Sequence, residues 1–213
     1  MPPRTSLAIV GLALLLPLQS GLRPLTAQTA QEKATKVPAY TADGRLMFPA
    51  DYRQWIFLSS GIDVSYGPGA GMGHTMFDNV FVNPEAYKAF LETGTWPDQT
   101  VLVLEVRGGE SKGSINKNGH YQNSDMMGVE AHVKDERFQG KWAFFTFDDP
   151  VSAQEVPHEA SCYSCHEQHA AVDTTFVQFY PTLLEIAKKK GTLSPAYLKE
   201  EAAQPAGNNK KHN

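Results

Sequence analysis

Cysteine is nearly absent from this 213-residue chain, which holds two, Cys162 and Cys165. A framework of structural disulfides is thereby excluded, since a bridge between positions three apart closes a tiny loop and stabilises little. An excess of basic charge is also missing. Lys and Arg total 19 against 23 Asp and Glu, a formal net charge of −4, which argues against a nucleic-acid partner. The apolar run from Leu7 to about Leu18 is short and broken by Pro17. It cannot cross roughly 30 Å of hydrocarbon as a stable helix. No internal repeat is present, and no methionine follows Met127.

What the N-terminus does have is the pattern of a secretory signal peptide. Arg4 precedes the apolar run, and small residues follow near Leu25-Thr26-Ala27. Residues 1–27 are therefore expected to be cleaved on export, leaving a periplasmic or secreted protein with no membrane span after processing. Arg4 and Arg23 are the charged residues of that segment, so its loss makes the net charge two units more negative. Residues 28–40 read as a polar leader and residues 192–213 as an unpacked tail rich in Lys, Glu, Ala, Gly and Asn. Between them, residues 41–191 have the size of one ordinary domain.

Five strand candidates lie in that domain. They are Trp55–Tyr66, Met76–Val82, Val101–Arg107, the alternating run Val129–Lys134, and Trp142–Phe147. In the alternating run Val129, Ala131 and Val133 face inward, which predicts that His132 faces solvent. Residues 108–126 read as a long polar, glycine-bearing loop. The clearest helix starts with Asn83 as N-cap and Pro84 at the first helical position. It presents Tyr87, Phe90 and Leu91 on one face and closes at Gly94. A second helix is predicted from Glu159 to about Val172, and a third over Thr182–Lys190, whose terminal lysines suit its dipole. The order predicts an α+β fold with a mostly antiparallel sheet.

The two cysteines stand in Cys162-Tyr163-Ser164-Cys165-His166. This C-x-x-C-H pattern is the attachment motif of a c-type haem. The thiols add across the two porphyrin vinyl groups, and the following histidine reaches the iron as proximal ligand. Export fits this reading, because c-type haem is attached outside the cytoplasm. A thioredoxin-like pair would need a βαβ setting near a domain start, whereas this motif follows the last strand. A zinc site from Cys162, Cys165 and His166 or His169 would crowd its donors into eight residues, unlike the usual split pairs. One covalent haem c per chain is the expectation, with Cys162, Cys165 and His166 binding it and His166 on the metal.

The sixth coordination position separates an electron carrier from a ligand-binding or catalytic haem. All six methionines precede the motif. His169 lies on the same helical stretch as His166 and cannot reach the opposite face. His74, His120 and His132 are the remaining candidates, and five-coordinate iron is the expectation. Trp142, Phe144, Phe145 and Phe147 read as sheet core. Phe176, Val177, Phe179 and Tyr180, just past the motif, read as cover for a porphyrin face or edge. Arg53 and Arg107 are read as salt-bridging at the surface, with haem propionates as the alternative partner.

The chain resembles the cytochrome P-460 family and its relatives, the beta-type cytochromes c′. The resemblance rests on Tyr52-Arg53-x-Trp55, Tyr66-Gly67-Pro68 and the run Phe77-Asp78-Asn79-Val80-Phe81-Val82-Asn83-Pro84-Glu85-Ala86-Tyr87. It continues through Gly94-x-Trp96-Pro97-Asp98, Val103-Leu104-Glu105-Val106-Arg107, Trp142-Ala143-Phe144 and Cys162-x-x-Cys165-His166. It implies a mostly antiparallel β fold with a few helices, assembled as a homodimer. It also implies a haem that meets a small gaseous or nitrogenous ligand and exchanges electrons with a redox partner protein. The beta-type cytochromes c′ bind small gases in an apolar pocket, and the catalytic members oxidise hydroxylamine. The resemblance gives those catalytic members a lysine cross-linked to the porphyrin, where this chain has Leu104, and an acid shortly before the haem motif. Glu155 and Glu159 are the weak candidates for that acid, which would act as a base. The reading is a c-type cytochrome with a five-coordinate haem that binds or redox-processes small nitrogen oxides such as nitric oxide. The alternatives are a hydroxylamine-oxidising enzyme and a simple electron-transfer cytochrome.

Overall fold

A computed structural model describes residues 37–64, 75–115 and 117–203. The predicted signal peptide, most of the leader, Tyr66-Gly67-Pro68, His74 and residues 204–213 lie outside the described residues. The strands are β1 (Leu46–Met47), β2 (Ile56–Ile62), β3 (Met76–Val82), β4 (Val101–Glu110), β5 (Tyr121–Lys134), β6 (Trp142–Phe147) and β7 (Ser152–Ala153). The helices are α1 (Pro84–Thr93), α2 (Ser161–His169), α3 (Pro181–Lys190) and α4 (Pro195–Ala203). Strands β2 to β6 form one antiparallel sheet in chain order, and β1 pairs with β7. The expected α+β class and antiparallel sheet are what the chain adopts.

Strict two-residue alternation sorts this sheet into two covered faces. On the back, Val101, Val103, Val129, Ala131, Val133, Phe145 and Phe147 pack with Tyr52 and Trp55 into one core. Phe48 meets Phe147 edge-on at 5.1 Å. On the front, Val82, Leu102 and Trp142 pack with Phe90, Trp96, Leu183 and Ala187 from α1, its following turn and α3. Phe90 and Trp96 are both essentially sealed from solvent, with ring centroids 4.3 Å apart. Burial of each such side chain contributes about 1.5–3 kcal/mol.

Three local expectations change. Asn83 precedes α1, yet its side chain accepts the Val101 N–H at 2.8 Å and donates to the Gln99 carbonyl. It ties the helix entry to β4 instead of capping the helix. The buried face of α1 is Ala86 and Phe90, while Leu91 is exposed. Residues 108–126 are largely a hairpin, with Gly109 opposite Gln122 and Glu110 opposite Tyr121. The apolar residues of its strands, Tyr121 and Met126, are isolated and exposed, so no hydrophobic alternation announced it. The register shifts around Arg107 add to the disguise.

The tail and leader also pack where they are described. Helix α4 buries Tyr197, and Ser194 before it donates to the Ala170 carbonyl at 2.6 Å. One aromatic residue and backbone bonds to the segment after α2 hold a stretch whose overall composition is polar. At the other end Tyr40 donates to Asp135 at 3.1 Å, under the guanidinium of Arg137. Helix α2 is shorter than predicted, because Ala170 takes an extended conformation and residues 170–172 run buried into a turn.

Candidate haem site

A cavity of about 250 Å³ lies on the front of the sheet, between the strands, α2 and the segment after it. Its floor is set by strand register. Val80 faces Leu104, which faces Glu130, and Leu102 faces His132, which faces Phe144. The wall opposite comes from His166 on α2 and from Thr175, Phe176, Phe179 and Tyr180. Phe176, Phe179 and Tyr180 thus line the cavity as expected, while Val177 is core. Of the β6 aromatics, Phe144 lines the cavity, whereas Trp142, Phe145 and Phe147 are core.

Helix α2 brings the motif together. Cys162, Cys165 and His166 are at helical spacings of three and four, so they share one face. Both thiols are free and half-buried. Burial pushes the Cys162 thiol up, opposed by backbone N–H bonds and reinforced by the charges of Glu130 and Cys165. None of the nine residues of α2 is fully buried. Its hold on the sheet runs through Tyr163, whose hydroxyl donates to the Val156 carbonyl at 2.9 Å and accepts the Phe144 N–H at 3.3 Å.

His166 is oriented by a single bond. Its Nδ1 lies 2.7 Å from the Thr174 carbonyl, so Nδ1 carries the proton and donates. The other nitrogen, Nε2, keeps its lone pair. Burial holds His166 below the ordinary imidazole range, against the raising effect of that bond. A neutral imidazole with Nδ1–H engaged is the form that ligates iron. Phe176 at 4.2 Å and Phe144 at 4.6 Å pack against its ring. The donor set therefore fits a haem: two thiols and an oriented neutral histidine on one helical face, beside a mainly apolar cavity. Among the described residues, no three His, Cys, Asp or Glu side chains converge on a bare metal ion.

The family model for cytochrome P460 matches residues 49–177, more than half of the chain. The chain belongs to the cytochrome P460 family. It is accordingly a haem-binding cytochrome. No curated protein matches it. The matched span runs from the turn before Tyr52 to the turn after α2, and so includes every strand of the main sheet.

The other predicted site residues fall as follows. Glu155 is exposed and pairs with His158 at 3.2 Å, and Glu159 is exposed ahead of α2; neither lines the cavity. The carboxyls that do line it are Asp78 and Glu130. Burial raises both. A backbone N–H from Val64 opposes the shift of Asp78 and the charge of Asp63 adds to it, while the charge of Asp78 adds to that of Glu130. Glu130 is exposed, yet burial against the apolar wall still disfavours its charge. Alternation could have found them, since Asp78 shares a face with Val80 and Val82, and Glu130 with His132.

His132 is not solvent-facing. It is 8% exposed and stacks on Phe144 at 4.0 Å with its Nε2 3.2 Å from the Thr174 hydroxyl. Alternation placed it on the front correctly, but the front is covered as well. His120 is exposed and lines no part of the cavity. His169 bonds Glu200 of α4. Arg53 and Arg107 both pair with Glu105 on the back of the sheet. Among the described residues no lysine lines the cavity, and Leu104 does.

Proposed function

We propose that this member of the cytochrome P460 family is exported and carries one haem c, joined through Cys162 and Cys165 and ligated by His166. The side of the iron away from His166 stays open to a small nitrogen oxide such as nitric oxide. The haem supplies a redox-active iron. The protein's own contribution is to hold Nδ1–H of His166, to exclude bulk water with Phe144 and Phe176, and to offer an apolar floor of Val80, Leu102 and Leu104. The observation that carries this reading is the contrast between the two histidines of the cavity. His166 has a committed Nδ1 and an available Nε2, whereas the Nε2 of His132 is engaged with Thr174. Among the described residues no methionine lines the cavity. The test is the visible spectrum of the matured protein: high-spin ferric haem that shifts on addition of nitric oxide supports the reading. A low-spin, six-coordinate spectrum that nitric oxide does not alter contradicts it and favours simple electron transfer.

A second reading, hydroxylamine oxidation, draws on Asp78 and Glu130. A cavity carboxylate is the group that takes a proton from a nitrogenous substrate. Hydroxylamine-dependent reduction of an electron acceptor that falls at least tenfold in Glu130→Gln or Asp78→Asn supports it, and no turnover in the parent protein removes it.

A further inference from the structure

The turn that accepts the His166 N–H is held at each of its three residues by a different side chain, two from β5 and one from the turn after α1. Asp173, held at a left-handed φ of 52°, pairs with Lys134 Nζ at 3.0 Å. The Thr174 hydroxyl meets His132 Nε2 at 3.2 Å. The Thr175 hydroxyl accepts Trp96 Nε1–H at 2.7 Å and donates to the Val172 carbonyl at 2.8 Å. Within the turn, the Thr175 N–H donates to Val172 at 2.8 Å. His132 and Lys134 stand two apart on β5, so one strand face supplies two of the three anchors. Of these anchors, His132 alone also touches the ligand, with its ring 5.1 Å from that of His166 and edge-on. Its position is fixed in turn by Trp142 at 4.4 Å and by Phe144 at 4.0 Å.

We infer that His132 is a positioning residue for the proximal histidine, acting through the Thr174 hydroxyl. By holding the side chain of Thr174 it aims the same residue's carbonyl at His166 Nδ1, and so sets how strongly that N–H is drawn off the ring. A stronger bond at Nδ1 makes the opposite nitrogen a better donor to iron. The inference rests on His166 being the iron ligand, and it assigns a task to a buried histidine that ligand binding itself leaves unused.

The test uses the matured, haem-loaded protein and its ferrous iron–histidine stretching band in resonance Raman. His132→Phe keeps a ring stacked on Phe144 but deletes the bond to Thr174. Thr174→Val deletes the hydroxyl and keeps the carbonyl. Both single variants are expected to shift the band to lower frequency. The double variant is expected to shift it no further, because the two side chains form one link. A band unmoved in Thr174→Val overturns the inference, whatever His132→Phe does, since His132 would then act by packing alone. Additive shifts also overturn it. A parent protein with haem bound but no such band would instead remove five-coordinate iron on His166, and with it the reading on which this inference rests.

Discussion

Replacing Glu105 by glutamine deletes one negative charge from the back of β4 while keeping the side chain's shape. Glu105 is 4% exposed. It accepts the hydroxyl proton of the fully buried Tyr52, bonds from Arg53 Nε at 2.8 Å and its terminal nitrogen at 2.6 Å, and a bond from Arg107. The Arg53 side chain is 51% exposed, so its pair is worth only about 0.5 kcal/mol. The Tyr52 and Arg107 bonds are charge-assisted and more enclosed, about 1.5–3 kcal/mol each. The amide retains one acceptor oxygen but turns two donors toward a guanidinium. The expected cost is therefore about 3 kcal/mol, read as a lower urea midpoint at neutral pH. The pH dependence has a definite sign. Burial raises the Glu105 carboxyl, but bonds from Arg107 and Tyr52 and the charges of both arginines outweigh it and hold the group below its ordinary value. Its contribution is then present above the ordinary carboxylate range and is lost as pH falls through the depressed value. The difference between parent and variant should shrink in acid. A loss under about 1 kcal/mol, or one that does not change with pH, would refute the reasoning, because magnitude and pH dependence both stem from the same ionised pair.

Two further outcomes follow from the cavity and the turn behind it. Glu130 is raised by burial and by Asp78, so its ionised form costs stability above its folded value and nothing below its unfolded one. Glu130→Gln is expected to raise the melting temperature at pH 7 to 8, with the gain vanishing below about pH 4; a gain that grows in acid contradicts the assignment. Trp96→Phe removes the bond to Thr175 and leaves space beside Phe90. The Thr175 hydroxyl keeps the Val172 carbonyl as its acceptor, so the cost is about 2 kcal/mol in urea unfolding, and an unchanged midpoint would contradict the packing argument.

The sheet was legible in the sequence because its strands carry dense apolar or alternating runs. Val101–Arg107 and Trp142–Phe147 could hardly be anything else. The ribbon beyond Arg107 was not legible, since a mostly polar, exposed hairpin leaves no periodic trace. The attachment motif was legible from local spacing alone. Its surroundings were not, because they are assembled across distant segments. Residue 132 meets residue 174, residue 78 faces the same cavity as residue 130, and residue 96 meets residue 175. Alternation set Glu130 and His132 on the face of their strand opposite Val129, Ala131 and Val133. It could not say that both faces are covered, and His132 was therefore expected in water. The acids were sought near the motif in sequence, at Glu155 and Glu159, whereas the strands deliver Asp78 and Glu130 to the cavity from afar.

The most direct test of the central claim is the intact mass of the denatured protein after export from a host that attaches c-type haem. The account predicts a mass equal to the processed polypeptide plus one haem, with Cys162→Ser/Cys165→Ser losing that increment. A polypeptide mass without haem, or an increment that survives the loss of both thiols, would contradict it.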